Sequence, residues 1–98
     1  MVLIQHNAFE WDSFKENGNI TKHGMNFEEA ASAFLDPFGV LIFDNKHSST
    51  ENRWFFIGKT RRGIATIRLT FRNNKIRILG AGYWRNGVKR YEKENAKE

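Results

Sequence analysis

The sequence predicts an α+β fold in a single domain spanning residues 1–98, with two N-terminal helices and a C-terminal helix on one face of a mainly antiparallel sheet of four or slightly more strands. Three observations predict it. Helical spacing of apolar residues stops at Asp36-Pro37, four β-rich runs follow, and a charged, helix-compatible tail closes the chain. At 98 residues the chain holds one core and no second. Nine Phe and three Trp give that core large buried areas per residue, which argues against disorder.

Taken in order, Leu3–Glu10 reads as a short strand and Asp12 as the N-cap of a first helix that runs to Lys22 across Gly18. His23-Gly24 is a tight turn. The second helix is the clearest element, because Phe27, Ala30, Ala31, Phe34 and Leu35 fall on one stripe. Asn26 caps it, Glu29 stands at the capping-box position, and Pro37 stops it by driving Asp36 out of the helical region. Strands are expected over Phe38–Asp44, Arg53–Lys59, Ile64–Arg72 and Lys75–Ala81, with Asn73-Asn74 as a hairpin turn. In the third run, Ala65, Ile67, Leu69 and Phe71 alternate with Thr66, Arg68, Thr70 and Arg72, so one face buries while the other presents arginines. From Arg85 to Lys97 the chain suits a helix, with Val88 and Tyr91 as its contact residues.

Charge is distributed unevenly. Residues 1–51 carry three Lys against eight acids, and residues 52–98 carry thirteen Lys and Arg against three acids, giving −5 and +10. A cationic face built by the second half suits a polyanion, and phosphate is the obvious counter-charge. With no cysteine, disulfides, thiolate metal sites and cysteine nucleophiles are excluded. His6, His23 and His47 are too scattered for a metal motif, so neither metal nor other cofactor is expected. No apolar run approaches a membrane span, and the N-terminus lacks a basic leader, so the expected setting is cytoplasmic with no membrane partner. Gly80-Ala81-Gly82 lacks the third glycine of a dinucleotide loop, and no helix-turn-helix or RNP-like strand is evident.

Several residues are of the types that metal-free RNA cleavage requires. Such cleavage uses the RNA's own 2′-hydroxyl, so the protein supplies a base, an acid and cations on the phosphate. His23, His47, Glu51 and Tyr91 form the acid and base pool, and Arg53 and Arg72 are the candidate phosphate ligands. Lys22, Arg77, Arg85, Lys89 and Arg90 are candidates for contact with the RNA backbone.

Phe9-Glu10-Trp11-Asp12, Lys15, Asn19, Lys22-His23-Gly24 and Phe27-Glu28-Glu29-Ala30 together resemble the opening signature of the BrnT toxins. Phe34, Asp36-Pro37, Asp44, His47-Ser48, Glu51, Arg53 and Ile57-Gly58 continue the resemblance. It implies a RelE-like fold, endoribonuclease activity that inhibits translation, and neutralisation by a BrnA-type antitoxin that itself binds operator DNA. The second half departs from the pattern: the family's arginine stands here as Gly82, and a glutamate of its terminal helix as Val88. Arg85 is the expected substitute for that arginine. The alternative the departures raise is a catalytically degenerate homologue that binds antitoxin or nucleic acid without cutting.

Overall fold

The computed structural model describes residues 3–6, as backbone, and residues 8–96. Strands β1 (Leu3–His6), β2 (Phe9–Asp12), β3 (Val40–Phe43), β4 (Arg53–Thr60), β5 (Gly63–Arg72) and β6 (Lys75–Gly82) form one sheet in the order β1-β2-β6-β5-β4-β3. Helices α1 (Ser13–His23), α2 (Phe27–Ser32) and α3 (Arg85–Asn95) complete the α+β fold.

The four-strand meander is present, and two strands join it from the N-terminus. The single strand expected over Leu3–Glu10 is instead a hairpin, with β1 antiparallel to β2. Strands therefore precede the helices. β2 lies parallel to β6, so the sheet is mixed rather than purely antiparallel. The crossover from β2 through the helices back to β6 is what allows that parallel pairing.

The N-terminal helices obey their sequence signals closely. The Asp12 carboxylate accepts from the Phe14 N–H at 2.8 Å, and Gly24 ends α1 in the left-handed region at φ 67°. Asn26 accepts from the Glu29 N–H at 2.8 Å. Glu29 does not return to complete the box, because its carboxylate is engaged by Arg62 and the Tyr83 hydroxyl. After Ser32 the helix tightens into a 3₁₀ turn over Ala33–Leu35. That tightening changes the angular phase, so Leu35, expected on the buried stripe, is 85% exposed.

Parity along the strands separates two faces. Trp11, Ala65, Ile67, Leu69, Ile78 and Ala81 bury against Met25, Phe27, Ala30 and Ala33 on the α2 side. Trp11 meets Phe27 edge-on, and Phe34 stacks on Phe56 with centroids 4.2 Å apart. The opposite face carries Ile57 and Thr66, and there α3 sits with Gly87 directly over them. Helices therefore cover both faces, in place of the one face expected. A glycine is needed at this crossing, since a Cβ at 87 would strike the Thr66 hydroxyl.

Between these layers α1 runs along an edge. β2 pairs with β6 only at Ile76–Ile78, which leaves the outer edge of β6 beyond that point unpaired by any strand. The buried Asn19 side chain fills the vacancy. Its Oδ1 accepts from the Ala81 N–H at 3.0 Å, and its Nδ2 donates to the carbonyls of Ala81 at 2.9 Å and Met25 at 3.0 Å. Asn19→Ala strands these groups in the interior, where unsatisfied polar atoms cost roughly 1–3 kcal/mol each. The expected loss is about 3 kcal/mol in urea denaturation, whereas a loss under about 1 kcal/mol would mean that the edge finds other partners.

Candidate nucleic-acid interface

On the α3 side of the sheet, α1 stands above the ends of β4, β5 and β6 and encloses a polar groove of about 350 Å³. Lys15, Lys22 and His23 form its helical wall, and Arg53, Arg68 and Leu79 its sheet wall. Asn19 sets the distance between the walls, since it lines the groove while pairing with Ala81. Leu79 enters because the pairing slips at this point: Arg68 faces Gly80 while Leu69 faces Ile78, leaving Leu79 as a bulge.

Two glycines shape the floor. The Arg68 guanidinium lies across Gly80, where any Cβ would collide with it. A Cβ at Gly82 would lie 2.6 Å from the Trp84 indole, so the indole covers this position. The His23 ring then meets Trp84 edge-on at 5.1 Å. The position at which the family pattern has arginine is thus roofed by tryptophan.

The arginines of this face differ in how they are held. Arg72 donates to Glu51 at 2.6 Å, and Arg53 approaches the other oxygen of Glu51 at 3.6 Å. The Arg72 hydrogen bond, with Arg53 adding to it, holds the Glu51 carboxyl below its ordinary range against a smaller opposing effect of burial. Arg77 donates at 3.0 Å to Glu10, itself buried. The Arg68 side chain makes no hydrogen bond or ion pair among the described residues and is exposed. It lines the groove with its guanidinium against Gly80.

Of the residues singled out from the sequence, the structure brings Lys22, His23 and Arg53 together, with Glu51 and Arg72 linked to them through Arg53. The others lie apart. His47 pairs through Nδ1 with Asp44 at 2.8 Å on the 3₁₀ turn Asn45–His47. Tyr91 is 5% exposed and donates at 2.6 Å to Asp36, which also accepts from the backbone N–H groups of Lys59 and Phe38. Burial and that carboxylate push the Tyr91 hydroxyl up to about 12, so it keeps its proton and ties α3 to the turn before β3. Arg77 is consumed by Glu10, and Arg90 pairs with Glu94 at 3.1 Å. Arg85 and Lys89 are exposed on α3 and contribute nothing to the groove walls.

Sequence reasoning missed Arg68, Lys15 and Trp84 as site residues. Arg68 had a readable signal, since it shares the polar phase of β5 with Arg72 opposite a glycine-rich strand. Trp84 had none, because only the fold lays its ring over Gly82.

A groove lined by Lys15, Lys22, Arg53 and Arg68, with an imidazole on its wall, has the charge and donors that suit phosphate groups. Residues 11–87 match the family described as ribonuclease toxin, BrnT, of type II toxin-antitoxin systems, and the chain belongs to that family. No individual curated protein matches it. The family carries a ribonuclease activity, an RNA substrate and an antitoxin partner. Among the described residues no helix is long and apolar enough to cross a membrane.

Asp36 gives this arrangement a pH signature. Burial pushes its carboxyl up, but the hydrogen bonds from Tyr91, Lys59 and Phe38 outweigh that and hold it below its ordinary value. A folded-state value below the unfolded one stabilises the fold above about pH 4 and is lost as pH falls through the depressed value. Tyr91→Phe is expected to cost about 1.5–3 kcal/mol at pH 7, with the gap from the parent narrowing below about pH 4 in denaturation curves. A gap constant down to pH 2 would show that the Asp36 charge plays no part.

Proposed function

We propose that this chain is a RelE-like, metal-independent endoribonuclease that acts in the cytoplasm, stops translation by cutting RNA, and is neutralised by a BrnA-type antitoxin. The observation that carries this reading is the unclaimed Arg68 guanidinium, fixed across Gly80 beside Arg53 and opposite His23. A phosphate in the groove takes its non-bridging oxygens to the two guanidinium groups, whose planar donors match them. The 2′-oxygen of the preceding ribose then attacks phosphorus, the bond to the 5′-oxygen breaks, and a 2′,3′-cyclic phosphate and a 5′-hydroxyl result. Charge builds on the phosphoryl oxygens along the way, where the arginines stabilise it.

His23, the imidazole of the groove wall, takes the proton of the attacking 2′-hydroxyl as base, and the leaving 5′-oxygen takes its proton from water. Glu51, kept ionised by Arg72, positions Arg53. Lys15 and Lys22 hold the strand on either side through its phosphates. In place of the family's arginine at position 82, Arg68 supplies the cation, and Arg85 is not needed for it. The antitoxin covers this cationic face with an acidic segment and reaches operator DNA itself, so the toxin touches that DNA only through it.

Purified protein is expected to cleave RNA in EDTA. Arg68→Ala should lower the rate by about two to three orders of magnitude, and His23→Ala by about two to four, while Arg85→Ala stays close to the parent. Equal rates for parent and Arg68→Ala would remove Arg68 from the mechanism. A parent that cleaves nothing and fails to arrest growth when expressed alone would favour the degenerate homologue, for which the Trp84-covered Gly82 is the specific structural argument.

A further inference from the structure

A second hollow, of about 440 Å³, adjoins the groove between β3, β4 and the start of α3. Its floor is apolar, made by Ile42, Phe55 and Ile57. Thr66 completes the floor. That side chain is buried, and its Oγ1 has no hydrogen-bond partner among the described residues. Asn45 and Lys46 stand on one rim and Asn86 and Arg90 on the other. Asp44, the acid on the wall, is engaged by the ring and backbone N–H of His47.

The two hollows are lined by neighbouring residues of the same sheet face. Phe55 follows Arg53 by two residues, so the two side chains leave the same face of β4 about 7 Å apart. Phe55 is also directly opposite Arg68 in β5. Both arginines line the groove, so a chain whose phosphate rests on them has its neighbouring substituent at the mouth of the hollow.

We propose that this hollow is a nucleobase-recognition site, receiving one unpaired base of the RNA strand whose phosphate lies in the groove. A base is flat and apolar on its faces and carries donors and acceptors around its edge. The hollow matches both properties, with the Phe55 ring and aliphatic floor for the face and the Asn86 and Asn45 groups for the edge. Lys46 on the rim adds cationic character suited to the next phosphate. The volume falls in the roughly 300–1,000 Å³ range of small-ligand sites. The consequence is that cutting is base-selective beside the scissile phosphate, with selectivity set by Phe55 and Asn86 rather than by the groove. This assignment rests on the reading of the groove as the RNA site.

The test is equilibrium binding of the full chain to four labelled 2′-O-methyl hexanucleotides, one each of A, C, G and U, which cannot undergo attack by their own 2′-hydroxyl. The parent should separate the tightest from the weakest by roughly tenfold, the scale that one stacked and edge-read base supplies. Phe55→Leu, Asn86→Ala and Asn86→Trp, the last filling the hollow, should each shrink this to less than about threefold. Weak, salt-sensitive binding to all four should remain. Equal binding of the four by the parent, lost in Arg68→Ala, would overturn the base site and leave the groove reading intact. Unchanged discrimination in Asn86→Trp would also overturn it. No binding to any of the four would defeat groove and base site together. Selective binding without cleavage of unmodified RNA of the preferred sequence would support the base site and defeat the nuclease reading.

Discussion

The backbone pairing of Ala81 with the Asn19 carboxamide is the interaction on which the functional face depends. A sheet edge left open after Ile78 is a row of unmet donors and acceptors, and something must meet them. Had a seventh strand done so, the α3 side of the sheet would be flat there. Because a helix does so through one side chain, α1 is held on the edge with Lys15, Lys22 and His23 above the plane of β6. The same carboxamide takes the Met25 carbonyl, which fixes where α1 ends and α2 begins. Glu16 supports it from the other side, accepting from the Trp11 indole at 3.1 Å and from the Phe27 N–H at 2.9 Å. Groove width and core packing are thus set by the same short helix.

A second constraint is the disposal of positive charge. The second half of the chain has many more cations than the first half has acids to neutralise them, and the structure spends its acids selectively. Glu29 takes Arg62, Glu10 takes Arg77, and Glu51 takes Arg72 with a looser hold on Arg53. The pairings with Arg62, Arg77 and Arg72 cross between distant parts of the sequence, so each acts as a tie as well as a neutralisation. Among the described residues, Lys15, Lys22 and Arg68 on the groove have no acidic partner, beside the loosely held Arg53. Close cations repel one another in the free protein, and a bound phosphate relieves that repulsion. A groove assembled this way favours an anionic occupant before any specific contact is counted.

Much of the fold was legible because local signals and tertiary packing agree. Asp12, Asn26 and Gly24 do what their side chains and φ angles suggest, and the alternation along β5 names the buried Ala65, Ile67 and Leu69 correctly. Phe71, in the same phase, is 52% exposed because the helices do not reach that end of the sheet, and periodicity alone carries no information about how far a covering layer extends. The β1–β2 hairpin was read as one strand, since its residues are apolar or polar without a Gly, Pro or Asp to punctuate them. Of the residues nominated by their chemistry, His23, Lys22 and Arg53 line one groove, while Tyr91 and His47 are hydrogen-bonded to Asp36 and Asp44. A tyrosine and a histidine have the same appearance in sequence whether a carboxylate or a substrate receives them; the partners Asp36 and Asp44 come into range only in three dimensions.

The exchange at Gly82 illustrates how a site shifts within a fixed fold. With arginine at 82, a side chain would rise from β6 where the Trp84 indole now lies, and the two cannot share that space. With glycine there, the indole folds down and offers its ring to His23, turning a cationic position into an aromatic one that orients the imidazole. On the neighbouring strand Gly80 leaves room for the Arg68 guanidinium to lie against the backbone, the cation the proposed function uses in place of an arginine at 82. Gly80, Gly82, Arg68 and Trp84 therefore behave as one unit. Substituting either glycine with alanine displaces a groove-facing side chain while leaving the α2 side of the sheet untouched, so the cost falls on the site rather than on the core.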